Sequence, residues 1–171
     1  MKTARRTCPC HSEAPYSACC ERFHLGTALP ARPEELMRSR YSGFALGRAP
    51  YLLETLAPAH PDRAMDHAKH VRELASIRDV RRFMGLQVFG EWVTGDDGEV
   101  LFIAKLFERG QNVGFAEHSR FVRRDGRWLY ASGTLVPLRD VPLSMSAKLT
   151  REEFLPFADS YAAARAPVVS A

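Results

Sequence analysis

Four cysteines, Cys8, Cys10, Cys19 and Cys20, stand within the first 20 of 171 residues, and none follows them. In a cytosolic chain such a cluster points to metal binding before disulfides. The neighbours Cys19 and Cys20 also make poor disulfide partners for each other, because a planar trans peptide opposes the required geometry. Four thiolates can close a tetrahedron around Zn²⁺ at about 2.3 Å each. Pro9 stiffens the first knuckle and leaves neighbouring amides free to point at sulfur. Ser12 to Tyr16, with Pro15, can turn the chain before Ser17-Ala18-Cys19-Cys20 returns as the start of a short helix. His11 and His24 could substitute as ligands, and a disulfide or free thiols are the alternatives, but zinc is the preferred reading. Four protein ligands leave no position for a substrate water.

A second group of polar residues falls in an apolar, strand-like part of the chain. Alternation along a strand sends Glu117 and Ser119 to one face and His118 and Arg120 to the other. In the next strand Trp128, Tyr130 and Ser132 share a face by the same rule. A carboxylate or imidazole in an apolar cavity could serve as a general base, with Tyr130 or Arg120 stabilising an oxyanion. The plainer expectation is that Arg38, Arg40, Glu117 and Arg120 form ion pairs tying a helix to the sheet, with Glu117 as the partner of Arg38. The candidate pocket is therefore Arg38, Tyr41, Glu117, Arg120 and Tyr130. His67 and His70, beside Asp66, could hold a metal, but an exposed helix face explains them more simply. Neither a nucleophile elbow, a phosphate-binding glycine loop nor a zinc-protease helix motif is present.

The elements that must position these residues follow from periodicity. Met37, Tyr41 and Phe44 recur at helical spacing between Pro33 and Gly47, with Glu34 and Glu35 at the dipole end that favours acids. A shorter helix is expected over 50–57 and a third, polar one over 62–82, as a lid or surface excursion. From Gly85 the period becomes that of strands: 86–94, 99–108, 113–124 and 127–136. They are separated by Gly95-Asp96-Asp97-Gly98, Gly110-Gln111-Asn112 and the hairpin signal Asp125-Gly126. Four strands on three tight turns make an antiparallel meander, with its concave face under the first helix. Leu101, Ile103 and Phe107 alternate with Phe102, Ala104 and Leu106, so both faces are apolar. One face takes the helices; the other packs against something else, such as a second copy of the chain. The expected organisation is a metal-binding motif over 1–26, an α+β domain over 27–140, and a tail over 141–171 with one helix near 151–165.

Composition narrows the function classes. Hydrophobic residues make up 46% and charged residues 26% of the chain, a globular balance that excludes intrinsic disorder. No apolar run is long enough to span a membrane. The basic opening Met1–Arg6 leads into the cysteines rather than an apolar stretch, unlike a secretory signal. The expectation is a soluble, cytoplasmic protein. Lys and Arg number 24 against 20 Asp and Glu, a net charge of +4, and the arginines are spread along the chain. A nucleic-acid binder clusters them instead.

Cys8-Pro9-Cys10-His11-Ser12, six residues, then Cys19-Cys20 resembles the SEC-C zinc-binding motif, named for the C-terminal tail of the translocation ATPase SecA. The resemblance implies a structural zinc on these four cysteines and a finger that serves protein contacts. His11 stands where that motif usually has glycine. Further stretches widen the likeness: Glu35-Leu36-Met37-Arg38-Ser39-Arg40-Tyr41, Gly85-Leu86-Gln87-Val88-Phe89, Glu117-His118-Ser119-Arg120-Phe121, Asp125-Gly126-Arg127-Trp128-Leu129-Tyr130 and Ser132-Gly133-Thr134. Over residues 7–136 the chain is similar to the YchJ family of bacterial proteins, which join an SEC-C finger to a nuclear-transport-factor-2-like domain. That implies a curved sheet wrapped by helices around a cone-shaped cavity, and it implies no activity. Leu56-Ala57-Pro58 replaces the Trp-His-Pro of many relatives, and their second cysteine motif at the C-terminus is absent, so no role of either carries over. The expected function is a zinc-containing, non-catalytic module binding another protein or a small ligand. The alternative is a small cofactor-independent lyase or isomerase using a polar cavity.

Overall fold

The computed structural model describes residues 7–165, so the basic opening Met1–Arg6 lies outside the described residues. In chain order the elements are α1 (Glu21–His24), α2 (Pro33–Leu46), α3 (Ala49–Glu54), α4 (His67–Val80), β1 (Arg81–Thr94), β2 (Asp97–Glu108), β3 (Gln111–Asn112), β4 (Phe115–Arg124), β5 (Arg127–Pro137), α5 (Leu143–Ala147) and α6 (Arg151–Arg165). The long strands form an antiparallel meander in the order β1-β2-β4-β5, and the two residues of β3 pair with the end of β2. Asp125 and Gly126 both have positive φ, 50° and 75°, the mirror-image turn that matches strand twist.

Helix α2 starts where Pro33 occupies the first turn, and Glu91 of β1 takes over the capping that Arg32 cannot supply. Its Oε1 accepts the Glu34 N–H at 2.7 Å, while Oε2 accepts from Arg32 at 3.0 Å. A carboxylate there satisfies an orphan amide and complements the helix dipole. Gly47, at φ 66°, ends the helix in the left-handed region. Leu36, Met37 and Tyr41 bury against Val100, Phe102, Ala104 and Leu106 of β2, with Phe121, Trp128, Tyr51 and Phe23 completing one core.

Two expectations are corrected. The polar stretch over 62–82 is not one helix: a 3-10 turn covers Pro61–Ala64, α4 occupies His67–Val80, and Arg81 already begins β1. The strand's start escapes periodicity because β1 carries irregularities between Phe83 and Gly85 and between Val88 and Gly90. Each extra residue breaks the alternation on which the reading depends. The second correction concerns the other sheet face. Leu101, Ile103, Ala116 and Val136 are covered by the chain's own C-terminal segment through Val141, Leu149, Phe154 and Ala158. That cover occupies the face expected to receive a second copy. Arg151 fastens it, pairing with Glu99 at 3.0 Å and lying 4.7 Å from the centroid of the Trp92 ring. Among the described residues, no helix is long and apolar enough to cross a membrane.

Candidate functional sites: a cysteine cluster and a cone cavity

The sulfurs of Cys8, Cys10, Cys19 and Cys20 all lie within 4.8 Å of one another. Cys10 and Cys19 are 3.6 Å apart and Cys19 and Cys20 3.8 Å, far beyond a disulfide bond. Sulfurs at the corners of a tetrahedron, each about 2.3 Å from a central ion, would stand about 3.8 Å apart. The cluster therefore fits a metal ion. Cys8, Cys10 and Cys20 are buried and form a small core of their own with Tyr16 and Cys19. The neighbouring thiols of Cys20 and Cys8 hold Cys10 well below the ordinary thiol range, so the cluster favours a thiolate.

His11 adopts φ 58°, the left-handed conformation that suits a glycine and that histidine tolerates better than most residues. Ser12 Oγ lies 3.2 Å from Cys19 Sγ, a polar neighbour for a ligand sulfur. The other histidine considered as a ligand is engaged elsewhere. His24 donates from Nε2 to the Ser39 carbonyl at 2.8 Å and accepts at Nδ1 from the Tyr16 hydroxyl at 2.8 Å. The finger is thus docked on α2, where Arg38 Nη1 also donates to the Cys10 carbonyl at 3.1 Å.

The opposite side of α2 lines a cavity of about 370 Å³ between the helices and the concave sheet face. Met37, Arg40, Tyr41 and Phe44, at i, i+3, i+4 and i+7, form its helical wall. Phe102, Leu106, Phe115 and Phe121 form much of its floor. Its polar groups are Arg40, Tyr41, His60, Asp62, Arg81, Glu117, Ser119 and Tyr130.

Of the residues expected in a pocket, the fold brings Tyr41, Glu117 and Tyr130 together here. Arg38 and Arg120 are elsewhere. Arg38 pairs with Glu34 of its own helix at 2.8 Å, one turn away, and not with Glu117. Arg120 is exposed, opposite Glu99 and Ser132 in the strand register. Ser132 also departs from expectation, because β5 is irregular opposite Arg120 and Phe121. Tyr130 pairs with Phe121 and Ser132 with Arg120, so Ala131 is the extra residue and Ser132 leaves the Tyr130 face. Gly133 returns to the cavity side, where a Cβ would collide with the Glu117 carboxyl and the Tyr130 hydroxyl.

Glu117 is buried to 9% exposure. Its Oε1 accepts from the Ser119 hydroxyl and, at 3.1 Å, from the Tyr130 hydroxyl. No partner reaches Oε2 among the described residues. Burial raises the Glu117 pKa, and the bonds from Ser119 and Tyr130 offset this only in part. Burial likewise raises the Tyr130 phenol. Tyr41 spends its hydroxyl on the Gly85 carbonyl at 3.0 Å.

Arg40, expected only in an ion pair, and His60 both line the cavity although neither was among the expected pocket residues. Arg40 carried a usable signal, its i+3 place after Met37 within the apolar stripe. His60 carried none, lying in a proline-flanked loop. Its ring faces Tyr130 with centroids 5.6 Å apart, and its Nδ1 accepts from the Asp62 N–H at 3.2 Å. The histidines of α4 do not form a shared exposed face. Asp66 caps the helix by accepting from the Lys69 N–H at 2.7 Å, and His67 is exposed. His70 is buried, with Nε2 3.5 Å from Asp62 and Nδ1 3.8 Å from Glu73.

Residues 32–133 match the family model described as YchJ, middle NTF2-like domain. The chain belongs to the YchJ family. It is 40% identical to the UPF0225 protein SG1365 of Sodalis glossinidius (strain morsitans), over 81% of this chain and 90% of that one. It is 36% identical to the UPF0225 protein YchJ of Shigella dysenteriae serotype 1 (strain Sd197), over 74% and 82%. Among solved structures it is similar to RPA3114, a SEC-C motif containing protein from Rhodopseudomonas palustris. That match has a TM-score of 0.65, 33% identity, and covers 75% of this chain and 97% of that one. The fold is shared with a SEC-C motif containing protein from Psychrobacter arcticus, with TM-score 0.63, 24% identity and coverage of 77% and 84%. In this YchJ-family chain the Met37-Arg38-Ser39-Arg40-Tyr41 block serves two sides of one helix. Arg38 and Ser39 meet the finger; Met37, Arg40 and Tyr41 meet the cavity.

Proposed function

We propose that this chain binds a small, largely apolar molecule in its cone cavity, and that its cysteine cluster holds a structural zinc. The observation that carries the reading is a cavity of about 370 Å³, within the range of small-molecule sites, whose apolar walls surround a buried carboxyl with one unengaged oxygen. Such a few-point polar constellation in an apolar pocket orients a ligand. Zinc is the ion because four thiolates in a closed set suit it and leave no open position. The zinc's role is to fix the finger against α2, and α2 is the cavity's wall.

The test is protein-observed NMR against a fragment library. Fragments that bind should shift resonances of Met37, Phe121 and Tyr130 together. A library whose only hits map to the outer surface would count against the reading.

The raised pKa of Glu117 and its free Oε2 support a second reading, proton transfer on the bound molecule in a lyase or isomerase reaction. Deuterium from solvent would then enter a carbon position of the bound ligand, and E117Q would stop it. Binding without exchange leaves the protein a binder.

A further inference from the structure

Arg40 is the cavity group whose chemistry is least satisfied. It is 9% exposed, and Nη1 donates to the Leu52 carbonyl and to Thr55 Oγ1, both at 2.6 Å. Those two bonds hold the guanidinium in one orientation at the C-terminal end of α3. Nε and Nη2 have no hydrogen-bond partner among the described residues, and no carboxylate there forms an ion pair with Arg40. Tyr130 gives it an aromatic face, 4.8 Å from the ring centroid, which does not neutralise a charge. Glu117 and Asp62 act on it only through space. Arginine does not shed its proton to escape burial, and a buried charge without a close counter-ion is costly.

We infer that the molecule held in the cavity is a monocarboxylate with an apolar body, its carboxylate bound by the free edge of Arg40. The inference rests on the ligand-binding reading above and names the ligand class. A planar fork of N–H donors matches a carboxylate, and a fixed fork loses little freedom on binding. One guanidinium balances one negative charge. A phosphate dianion would face Glu117 and Asp62, and the second arginine of the lining, Arg81, is already paired with Glu108 at 2.9 Å. The walls set the body: Met37, Phe44, Phe102 and Phe121 offer no polar partner, so they suit an aromatic or branched hydrocarbon.

The experiment is calorimetric titration of the full chain with four probes that share one hydrocarbon body: naphthylacetate, naphthylacetamide, naphthylethylamine and naphthylmethylphosphonate. The acid should bind at least about tenfold more tightly than the amide. The amine and the phosphonate should bind more weakly than the acid. R40Q should bring acid and amide to the same affinity, while R40K should keep part of the preference. Equal affinities of acid and amide in the wild type, or a preference that survives R40Q, would overturn the carboxylate inference and leave the cavity reading standing. A phosphonate that outbinds the acid would assign the site to phosphate chemistry instead. If none of the four binds at its solubility limit, both readings fall. The wild-type comparison needs no variant, so it stands even if R40Q does not fold.

Discussion

At the scale of single residues, Glu117 sets the sharpest expectation. Its Oε1 bonds would survive replacement by glutamine, since an amide oxygen accepts from Ser119 and Tyr130 as the carboxylate does. With Arg38 paired to Glu34, no buried ion pair is broken either. E117Q should therefore change stability at neutral pH by no more than about 1 kcal/mol, the scale of an ordinary hydrogen bond. The pH dependence carries a definite sign. The folded pKa is raised, so the native state holds the proton more tightly than the unfolded chain. The carboxyl's contribution is fully present below the unfolded value of about 4.3 and is lost as pH rises through the raised value. The stability of wild type minus that of E117Q, from urea midpoints, should fall from acid toward neutral pH. A flat difference would show that Glu117 is not shifted. Gly133 makes a companion case. The methyl of G133A would strike the Glu117 carboxyl and the Tyr130 hydroxyl, an overpacking that costs about 1–3 kcal/mol and displaces the carboxyl. A lowered urea midpoint with weakened ligand binding is the expected outcome.

At the scale of elements, the finger and the sheet should separate. C19S removes one sulfur from the cluster, and hydrogen exchange should then quicken at the amides of Cys8 and His11, which are bonded within the knuckle. Protection across β2 and β4 should persist, because their core is independent of the sulfurs. The opening should stop short of Phe23, which is packed with Leu36, Met37 and Trp128. Loss of protection throughout β2 and β4 would contradict this. On the other face, Phe154 is fully buried, and F154A should cost about 3–5 kcal/mol, as for other buried aromatics. A near-neutral effect would mean that α6 is not part of the folded unit. These elements were legible in unequal measure. The cysteine spacing, the stripe of α2 and the Asp125-Gly126 hairpin each carry a local signal, and each stands where expected. The start of β1 and the facing of Ser132 were not legible, because bulges break alternation without any distinctive residue to mark them. Choosing Arg38 over Arg40 put the charge one step off the apolar stripe. The partner was legible too: Glu34 stands four residues before Arg38, the spacing at which opposite charges meet on one helix face.

At the scale of the whole molecule, the metal can be counted. Elemental analysis of protein made under reducing, zinc-replete conditions should give one zinc per chain, and a chelator should lower the melting temperature by removing an ion that binds only the folded finger. Zinc below a tenth of an equivalent would remove the structural-zinc reading. The backbone also has a bearing on solution behaviour. An antiparallel sheet that does not close into a barrel ends in two strands with unpaired backbone groups, which are templates for another chain. Here β5 is shielded at its middle: Tyr130 donates its N–H to the Thr55 carbonyl at 2.8 Å and accepts from the Ala57 N–H at 2.7 Å. At the other end of the sheet, the irregularities at Met84 and Phe89 interrupt the straight run of β1. Both borders are thus ill suited to extension by a further strand. The sheet stays at a fixed width, and crowded chains of this protein are protected from stitching together edge to edge.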